Sequence, residues 1–158
     1  RWGGREMVIC RAEEIVLDSI MAIYEEKFKA SGMCPEKELV EQEIRSHTCY
    51  VVKEEDRIVA AFLFKFGKDV EESYHTIYDG EWRNDKPYGA IRHVAASGDI
   101  DEIEEQCINW AFWKCGHLRM DTNLDNFRMH AVLKANGFKQ CGIIRTVEKN
   151  KERLAFEK

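Results

Sequence analysis

Three titratable side chains, Tyr88, His93 and His130, are the candidates for acid–base chemistry in this sequence. A phenol or an imidazole held beside a reacting group can donate or accept its proton. His130 follows Asn126 by four residues, a spacing that puts both on nearly the same face of a helix. Each candidate also has a structural interpretation: packing for Tyr88, exposure to solvent for His93, and a hydrogen-bonded surface or core position for His130.

The six cysteines are scattered along the chain and include no CxxC pair. The nearest approach to a metal-ligand set is Cys107, Cys115 and His117. Cys107 and Cys115 fall within an apolar helical pattern, where a free cysteine is usually a small buried hydrophobic residue. We therefore predict reduced thiols and no metal site.

A run of carboxylates occupies residues 99–105, where five of the seven residues are acidic and none is basic. Asp99 and Glu102 have the spacing of a capping box, which satisfies backbone N–H groups at the start of a helix. Acidic side chains in a first turn also interact favourably with the helix dipole. The run therefore predicts a helix that opens at Gly98 and Asp99.

Hydrophobic periodicity predicts the elements that position these residues. The predicted strands are 7–10, 49–52, 57–66, 88–96, 118–122, 138–144 and 153–156. The predicted helices are 15–28, a shorter one that starts at residue 35, 98–114 and 126–136, the last ended by Gly137. Residues 70–87 are irregular, polar and aromatic, and are predicted to be a lid or an insertion. The order indicates an α/β fold with one mixed, mostly antiparallel sheet and helices on both faces.

The length of 158 residues predicts one domain, which we place at residues 7–158. Residues 1–6 precede the first strand, and we expect them to be a remnant of cloning outside the fold. A net charge of −5 argues against a nucleic-acid partner. No apolar stretch is long enough for a membrane span, and no signal-peptide pattern opens the chain. We expect a cytoplasmic protein without a membrane partner.

Two segments carry a family resemblance. Residues 118–144, LRMDTNLDNFRMHAVLKANGFKQCGII, contain a strand that ends in Asp-Thr, a helix that opens at Asn126, and an Asn-Gly-Phe that closes it. Residues 79–98, DGEWRNDKPYGAIRHVAASG, precede them in the expected order. Together they resemble a bacterial branch of the GNAT N-acetyltransferase superfamily, and the resemblance covers nearly the whole chain from Met7.

The resemblance implies a GNAT-like domain that uses acetyl-CoA as a cosubstrate. The strands at 88–96 and 118–122 would splay apart and leave backbone groups for the pantetheine arm, because a backbone-like amide ligand can complete a sheet. Asn126 would lie at the open end of that cleft, although it is also the residue type that caps its own helix. The implied cofactor-binding residues are His93, Val94, Ala95, Gly98, Ile100, Glu102, Ile103, Glu104 and Asn126.

The sequence departs from the family in two places. The loop that cradles the pyrophosphate through bare N–H groups corresponds here to the acidic residues 99–104, so the loop is degenerate. The tyrosine acid of many relatives corresponds to Leu133, and His130, one turn earlier, is the proton donor that remains. In the related branch the His of the strand at 88–96 precedes the Arg; here Arg92 precedes His93, which exchanges the faces of the two side chains.

The acceptor is expected to be a primary amine of a small molecule or a peptide. Residues 70–85 combine acidic and aromatic side chains, a rim that suits a cationic amine; a solvated loop packed by its aromatic residues is the alternative. The expected function is N-acetyl transfer. A homodimer is the oligomeric state that we consider beside a monomer. The rival hypothesis is a GNAT-like domain that has lost its cofactor and serves as a ligand-binding or interaction module.

Overall fold

The computed structural model describes residues 6–98 and 101–158, apart from the side chain of residue 101. The strands are β1 (Met7–Arg11), β2 (Cys49–Glu54), β3 (Arg57–Gly67), β4 (Tyr88–Ala96), β5 (Leu118–Asn123), β6 (Lys139–Arg145) and β7 (Glu152–Glu157). The helices are α1 (Leu17–Phe28), α2 (Lys37–Arg45), α3 (Asp101–Cys115) and α4 (Phe127–Ala135). The predicted order of elements is confirmed, and the predicted bounds of β4 match those of the structure.

The strands form one seven-stranded sheet in the order β1-β2-β3-β4-β5-β7-β6. The pairings β1–β2, β2–β3, β5–β7 and β7–β6 are antiparallel, and β4–β5 is parallel. The predicted α/β class with a mixed, mostly antiparallel sheet is therefore confirmed. Among the described residues, no helix combines the length and the apolar character needed to cross a bilayer.

The chain divides into two compact units. The first contains the residues up to Phe64 together with Arg92–Asn109. Its core is built where apolar faces of α1 and α2 meet the strands, because both helices repeat their hydrophobic residues at the helical period. Fully buried members of this core include Ile20, Tyr24, Val40, Cys49, Val51, Ala61 and Ala95.

The second unit contains Lys65–Ile91 and Trp110–Lys158. It includes β5, β6, β7, α4 and the segment 68–87 that precedes β4. The buried residues that pack together in this unit are Tyr74, Tyr88, Ala90, Ile144 and Ala155. The single domain predicted for residues 7–158, with residues 1–6 outside it, stays a prediction.

The segment 68–87 is attached to β6 through its backbone. Tyr78 and Ile143 exchange two N–H···O hydrogen bonds of 2.7 and 2.8 Å, and the N–H of Glu81 donates to the carbonyl of Cys141 at 3.0 Å. Two glycines permit this approach, Gly80 with φ +158° and Gly142 with φ +156°. A Cβ atom on Gly142 would lie 2.6 Å from the carbonyl oxygen of Tyr78, closer than real Cβ contacts allow. The irregular segment therefore has a fixed attachment to the sheet.

Candidate active site

The backbone of β4 departs from regular strand geometry at one of the predicted site residues. His93 has φ +53°, in the left-handed region that costs a residue with a side chain about 1–3 kcal/mol. The parallel pairs of β4 with β5 are Gly89 with Leu118 and Ala90 with Arg119, while β4 itself continues to Ala96. The predicted divergence of the two strands beyond these pairs stays a prediction.

The imidazole of His93 packs against α1. Its ring centroid lies 6.2 Å from that of Tyr24 and 6.1 Å from that of Phe28, both in edge-to-face arrangements. Such pairs add favourable energy beyond the area they bury. His93 is therefore half-buried. The interpretation of His93 as a solvent-facing residue is wrong, because its ring packs against α1.

The other predicted cofactor-binding residues of β4 and its end differ in exposure. Ala95 is fully buried in the core of the first unit, so its side chain has no surface for a ligand. Val94 is half-buried, and Gly98 is exposed with φ +74°. Ile100 lies outside the described residues, as does Asp99 of the predicted capping box.

The described side chains in the first turn of α3 include one exposed and one paired carboxylate. Glu102 is exposed, whereas Glu104 is 7% exposed and accepts a hydrogen bond of 2.7 Å from the Nζ of Lys27 on α1. Ile103 is 1% exposed and belongs to the core. Part of the acidic run is therefore neutralised by a neighbouring helix, a contact that sequence spacing did not indicate.

Asn126 is the N-cap residue of α4. Its Oδ1 accepts from the backbone N–H of Met129 at 3.2 Å, and its Nδ2 donates to the Oγ1 of Thr122 at 3.2 Å. The side chain therefore satisfies one of the N–H groups that a helix leaves unpaired at its start. The capping interpretation is confirmed, and a role towards a cofactor stays a prediction.

The side chain of His130 is fixed by one hydrogen bond and two aromatic neighbours. Its Nε2 lies 2.9 Å from the carbonyl oxygen of Asn123, which can only accept, so the proton of a neutral ring lies on Nε2. The rings of Phe127 and Phe156 are each 5.7 Å away. A proton for transfer would therefore have to come from Nδ1 of the doubly protonated ring.

Tyr88, the third predicted catalytic residue, is 2% exposed at the start of β4. Burial raises the pKa of its hydroxyl, although the hydrogen bond from the backbone N–H of Glu71 acts in the opposite direction. The phenol is therefore neutral at physiological pH. Its ring packs beside Tyr74, with 6.1 Å between centroids, so the packing role foreseen for Tyr88 is also present.

A buried charge cluster, which sequence reasoning missed, lies in the second unit around Glu157 of β7. Glu157 has no solvent exposure. Its Oε2 accepts from the Nε of Arg119 at 2.9 Å and from the Nε2 of His117 at 2.7 Å, and its Oε1 accepts from the backbone N–H of Arg83 at 2.7 Å. Nδ1 of His117 lies 2.8 Å from the carbonyl of Pro87, so both hydrogen bonds of the ring form together only when both its nitrogens carry protons.

Burial alone would raise the pKa of Glu157, because it disfavours the charged form. Hydrogen bonds from Arg119, the Arg83 N–H and His117 outweigh burial, and the pKa of the carboxyl lies below its ordinary value. The group is therefore ionised in the folded protein, and its charge is shared among three donors.

The guanidinium of Arg119 packs against two aromatic rings. It lies 4.3 Å from the ring centroid of Trp82 and 4.3 Å from that of Tyr88. The Nε1 of Trp82 in turn donates to the carbonyl of Tyr74 at 2.9 Å. Two of the predicted rim aromatics, Tyr74 and Trp82, thus face inward and position a cation, while Tyr78 is exposed.

The described residues contain no group of three side chains able to hold a metal ion. Burial raises the pKa of Cys107 to about 12, with the charge of Glu104 as a smaller cause. The pKa of Cys115 is also raised, mainly by burial. Metal binding and nucleophilic attack both require the deprotonated thiolate. The raised pKa values of Cys107 and Cys115 disfavour that form.

Replacement of Glu157 by Gln tests the buried cluster. Loss of the charge leaves the buried guanidinium of Arg119 without its counter-ion, so the free energy of unfolding at pH 7 should fall by about 3–5 kcal/mol. Because the folded pKa of Glu157 is lowered, its contribution is complete above the unfolded pKa and is lost as pH falls through the folded one. Urea unfolding from pH 7 to pH 3 should therefore give a flatter acid profile for the variant below about pH 4.5 than for the parent.

Glu152→Gln is the matched control on the same strand. Glu152 pairs with Arg145 at 3.2 Å on the surface, and its loss should cost less than about 1 kcal/mol. Equal stability of the parent and the Glu157→Gln variant, or identical acid profiles, would contradict this account of Glu157.

Comparisons with known proteins place this geometry in a known fold. No protein-family model matches the sequence, and no curated protein matches it. A GNAT-family acetyltransferase from Streptococcus agalactiae is similar in structure at 22% identity, over 96% of this chain and 94% of that chain, with a TM-score of 0.73.

Two further solved structures are similar over most of their length. The ribosomal-protein-alanine N-acetyltransferase from Brucella melitensis has 14% identity over 96% of this chain and 98% of that chain, with a TM-score of 0.66. A putative acetyltransferase from Salmonella typhimurium, solved with its cofactor acetyl-CoA, has 9% identity over 96% of this chain and 92% of that chain, with a TM-score of 0.66. This protein has the fold of the GNAT acetyltransferases.

Proposed function

We propose that the protein is an N-acetyltransferase that transfers the acetyl group of acetyl-CoA to a primary amine. The observation that carries the proposal is the left-handed residue His93 within β4 of a GNAT fold. A non-glycine residue in that conformation interrupts the strand and turns neighbouring amides away from regular pairing, and such strain is concentrated at functional sites. The acetyl-CoA found with the Salmonella protein of the same fold supports the same cosubstrate here.

The residues of β4 and its end suit a backbone-bound cosubstrate. A pantetheine arm carries amide groups that pair with strand N–H and C=O groups as a peptide would. We assign this pairing to β4 beyond Ala90, with Val94 and Ala95 contributing backbone rather than side chains. Exposed Gly98, with φ +74°, permits close approach of a bulky group after the strand. When bound, acetyl-CoA supplies an acetyl thioester that is activated towards an amine.

The charge around the first turn of α3 bears on phosphate binding. Because Lys27 and Glu104 form an ion pair, together they add no net charge near the start of α3. Only the remaining carboxylates of the acidic run would repel a bound phosphate. Exposed Glu102 is the described carboxylate that would repel a pyrophosphate. We keep Glu102, Ile103, Glu104 and Ile100 as proposed neighbours of the cosubstrate.

We propose His130 as the proton donor to the departing thiolate. Its Nε2 is committed to the carbonyl of Asn123, which holds the ring orientation and leaves Nδ1 as the donor. The neutral amine would attack the thioester carbonyl directly, and a base or a water relay would take the proton that its nitrogen loses. Backbone donors would stabilise the developing charge. Tyr88 and His93 stay predictions as catalytic residues.

The acceptor is proposed to be the amine of a small molecule or a peptide. The Brucella protein of the same fold is a ribosomal-protein-alanine N-acetyltransferase, which supports the peptide class. Six free cysteines support a reducing, cytoplasmic location. A homodimer stays a prediction.

Binding and turnover of acetyl-CoA test the proposal. Acetyl-CoA at a hundred times its dissociation constant should raise the free energy of unfolding by about 2.7 kcal/mol, because it binds the folded state alone. Acetylated products from a panel of primary amines and N-terminal alanine peptides should then be detected by mass spectrometry. No thermal shift at millimolar acetyl-CoA would contradict the proposal and favour the rival hypothesis, a domain without cofactor that binds a ligand or a partner.

Replacement of His130 by Ala tests the proton donor. Turnover should fall about a hundredfold or more, while the dissociation constant of acetyl-CoA should change little, because the lost interaction acts on the departing thiolate. His47→Asn is the control, since His47 is exposed and left-handed, a conformation that Asn tolerates. Parental turnover in the His130→Ala variant would remove His130 from the mechanism.

Two charge changes of opposite sign test where the pyrophosphate lies. Glu102→Gln should tighten CoA binding about fivefold, since a carboxylate about 4 Å from one phosphate charge costs about 1 kcal/mol in water. Lys27→Gln should weaken it by a similar factor, because Glu104 then has lost its counter-ion on α1. Calorimetric titration at two ionic strengths should show both effects shrink with added salt. Unchanged affinities in both variants would place the pyrophosphate elsewhere.

A further inference from the structure

A cavity of about 610 Å³ lies within the second unit, between the segment 68–87 and the start of β4 and β5. Its size falls in the range of sites for small molecules. Its inner wall is formed by Tyr74, Trp82, Tyr88 and Arg119, and lysines 68 and 86 lie at its exposed side. An aromatic wall with a fixed cation is a combination that suits an anionic organic ligand.

Arg119 presents unused hydrogen-bond donors to this cavity. Its side chain is 7% exposed, and the rings of Trp82 and Tyr88 both pack against its guanidinium. Its Nε donates to Glu157 and its Nη2 to the carbonyl of Asn84. Across the described part of the chain, Nη1 has no protein acceptor, and a guanidinium has five N–H groups to satisfy.

The hydroxyl of Tyr88 is a second donor in the same wall. Its oxygen accepts from the backbone N–H of Glu71 at 3.3 Å. Within residues 6–98 and 101–158, no acceptor for its O–H proton is present. The two donors belong to side chains in direct contact, because the guanidinium of Arg119 lies over the Tyr88 ring.

The lining of the cavity has a small excess of positive charge. Nε2 of His75 lies 2.9 Å from Oδ1 of Asp69. The ammonium groups of Lys68 and Lys86 have no ion pair among the described residues. Asp85 is the opposing unpaired carboxylate of this lining. The lining thus sets three cations, Lys68, Lys86 and Arg119, against the two carboxylates of Asp69 and Asp85. This is an excess of positive charge in a chain whose net charge is −5.

We propose that this cavity binds a small carboxylate-bearing molecule, whose carboxylate accepts hydrogen bonds from Nη1 of Arg119 and the hydroxyl of Tyr88. The planar or apolar remainder of the ligand lies against Trp82 and Tyr74. A carboxylate suits the site better than a phosphate, because the charge of Arg119 is already partly offset by Glu157 and a phosphate brings about two negative charges at neutral pH. The proposal goes beyond acetyl transfer and does not depend on it.

Benzoate and its uncharged analogue benzamide are the probes that test the proposal. The readouts are the NMR signals of the Trp82 indole N–H and the Arg119 Nε–H, with the indole signal assigned through Trp82→Phe. Benzoate should shift both signals saturably, with a dissociation constant of about 1 mM or lower. Benzamide should give no saturable shift, because it carries no charge for Arg119.

Tyr88→Phe removes one hydroxyl and keeps the ring that supports Arg119. Benzoate affinity should fall about tenfold or more, since a hydrogen bond to a charged group is lost. Tyr78→Phe is the matched control, a tyrosine of the same segment that is 47% exposed and outside the cavity, and it should bind benzoate as the parent does. Unchanged melting temperatures would confirm that both variants fold.

Four results would each overturn the proposal: no saturable shift with benzoate up to about 20 mM, equal shifts with benzamide, tighter binding of inorganic phosphate than of benzoate, or unchanged affinity in the Tyr88→Phe variant. An acetyl-transfer assay run in parallel separates this proposal from the proposed acetyltransferase function. Benzoate binding can fail while acetyl transfer persists.

Discussion

The ionised carboxylate of Glu157 is removed completely from water, and the second unit is organised around the donors that this requires. An unpaired buried charge would cost several kcal/mol. The donors come from β5, from the turn before it and from the segment 68–87, in the form of Arg119, His117 and the N–H of Arg83. One charge thus ties an irregular segment to the sheet and fixes the cation that the aromatic rings contact.

The order and class of the elements could be predicted because each depends on local periodicity. The strand 88–96 was found at its observed bounds, and Asn126 was recognised as a helix cap from its residue type. Helix starts were less accurate: α2 begins at Lys37 rather than at residue 35, and α1 at Leu17 after a short 3-10 turn. Extended backbone at Glu36 keeps the preceding residues out of the helix, a conformation that periodicity does not report.

The buried cluster could not be predicted, because its members meet only through strand register. Arg119 and Glu157 are 38 residues apart and face each other across the β5–β7 ladder. A signal existed: Arg119 lies between two apolar residues in β5 (LRM), and Glu157, of opposite charge, follows the apolar run LAF of β7. This signal becomes informative once the register of β5 against β7 is known. The pattern of either strand alone is also typical of a strand with one face in solvent. The Lys27–Glu104 pair depends on helix packing in the same way.

The attachment of the segment 68–87 through Gly80 and Gly142 has an evolutionary consequence. Neither position has space for a Cβ atom, since one on Gly142 would lie 2.6 Å from the carbonyl of Tyr78 and one on Gly80 would meet that of Cys141. Substitution can change the exposed charged side chains of this segment at little cost, but it cannot change these two glycines without separating the backbones. The pair should therefore persist among descendants whose ligand preferences have diverged, as a sequence marker of the attached segment rather than of any one substrate.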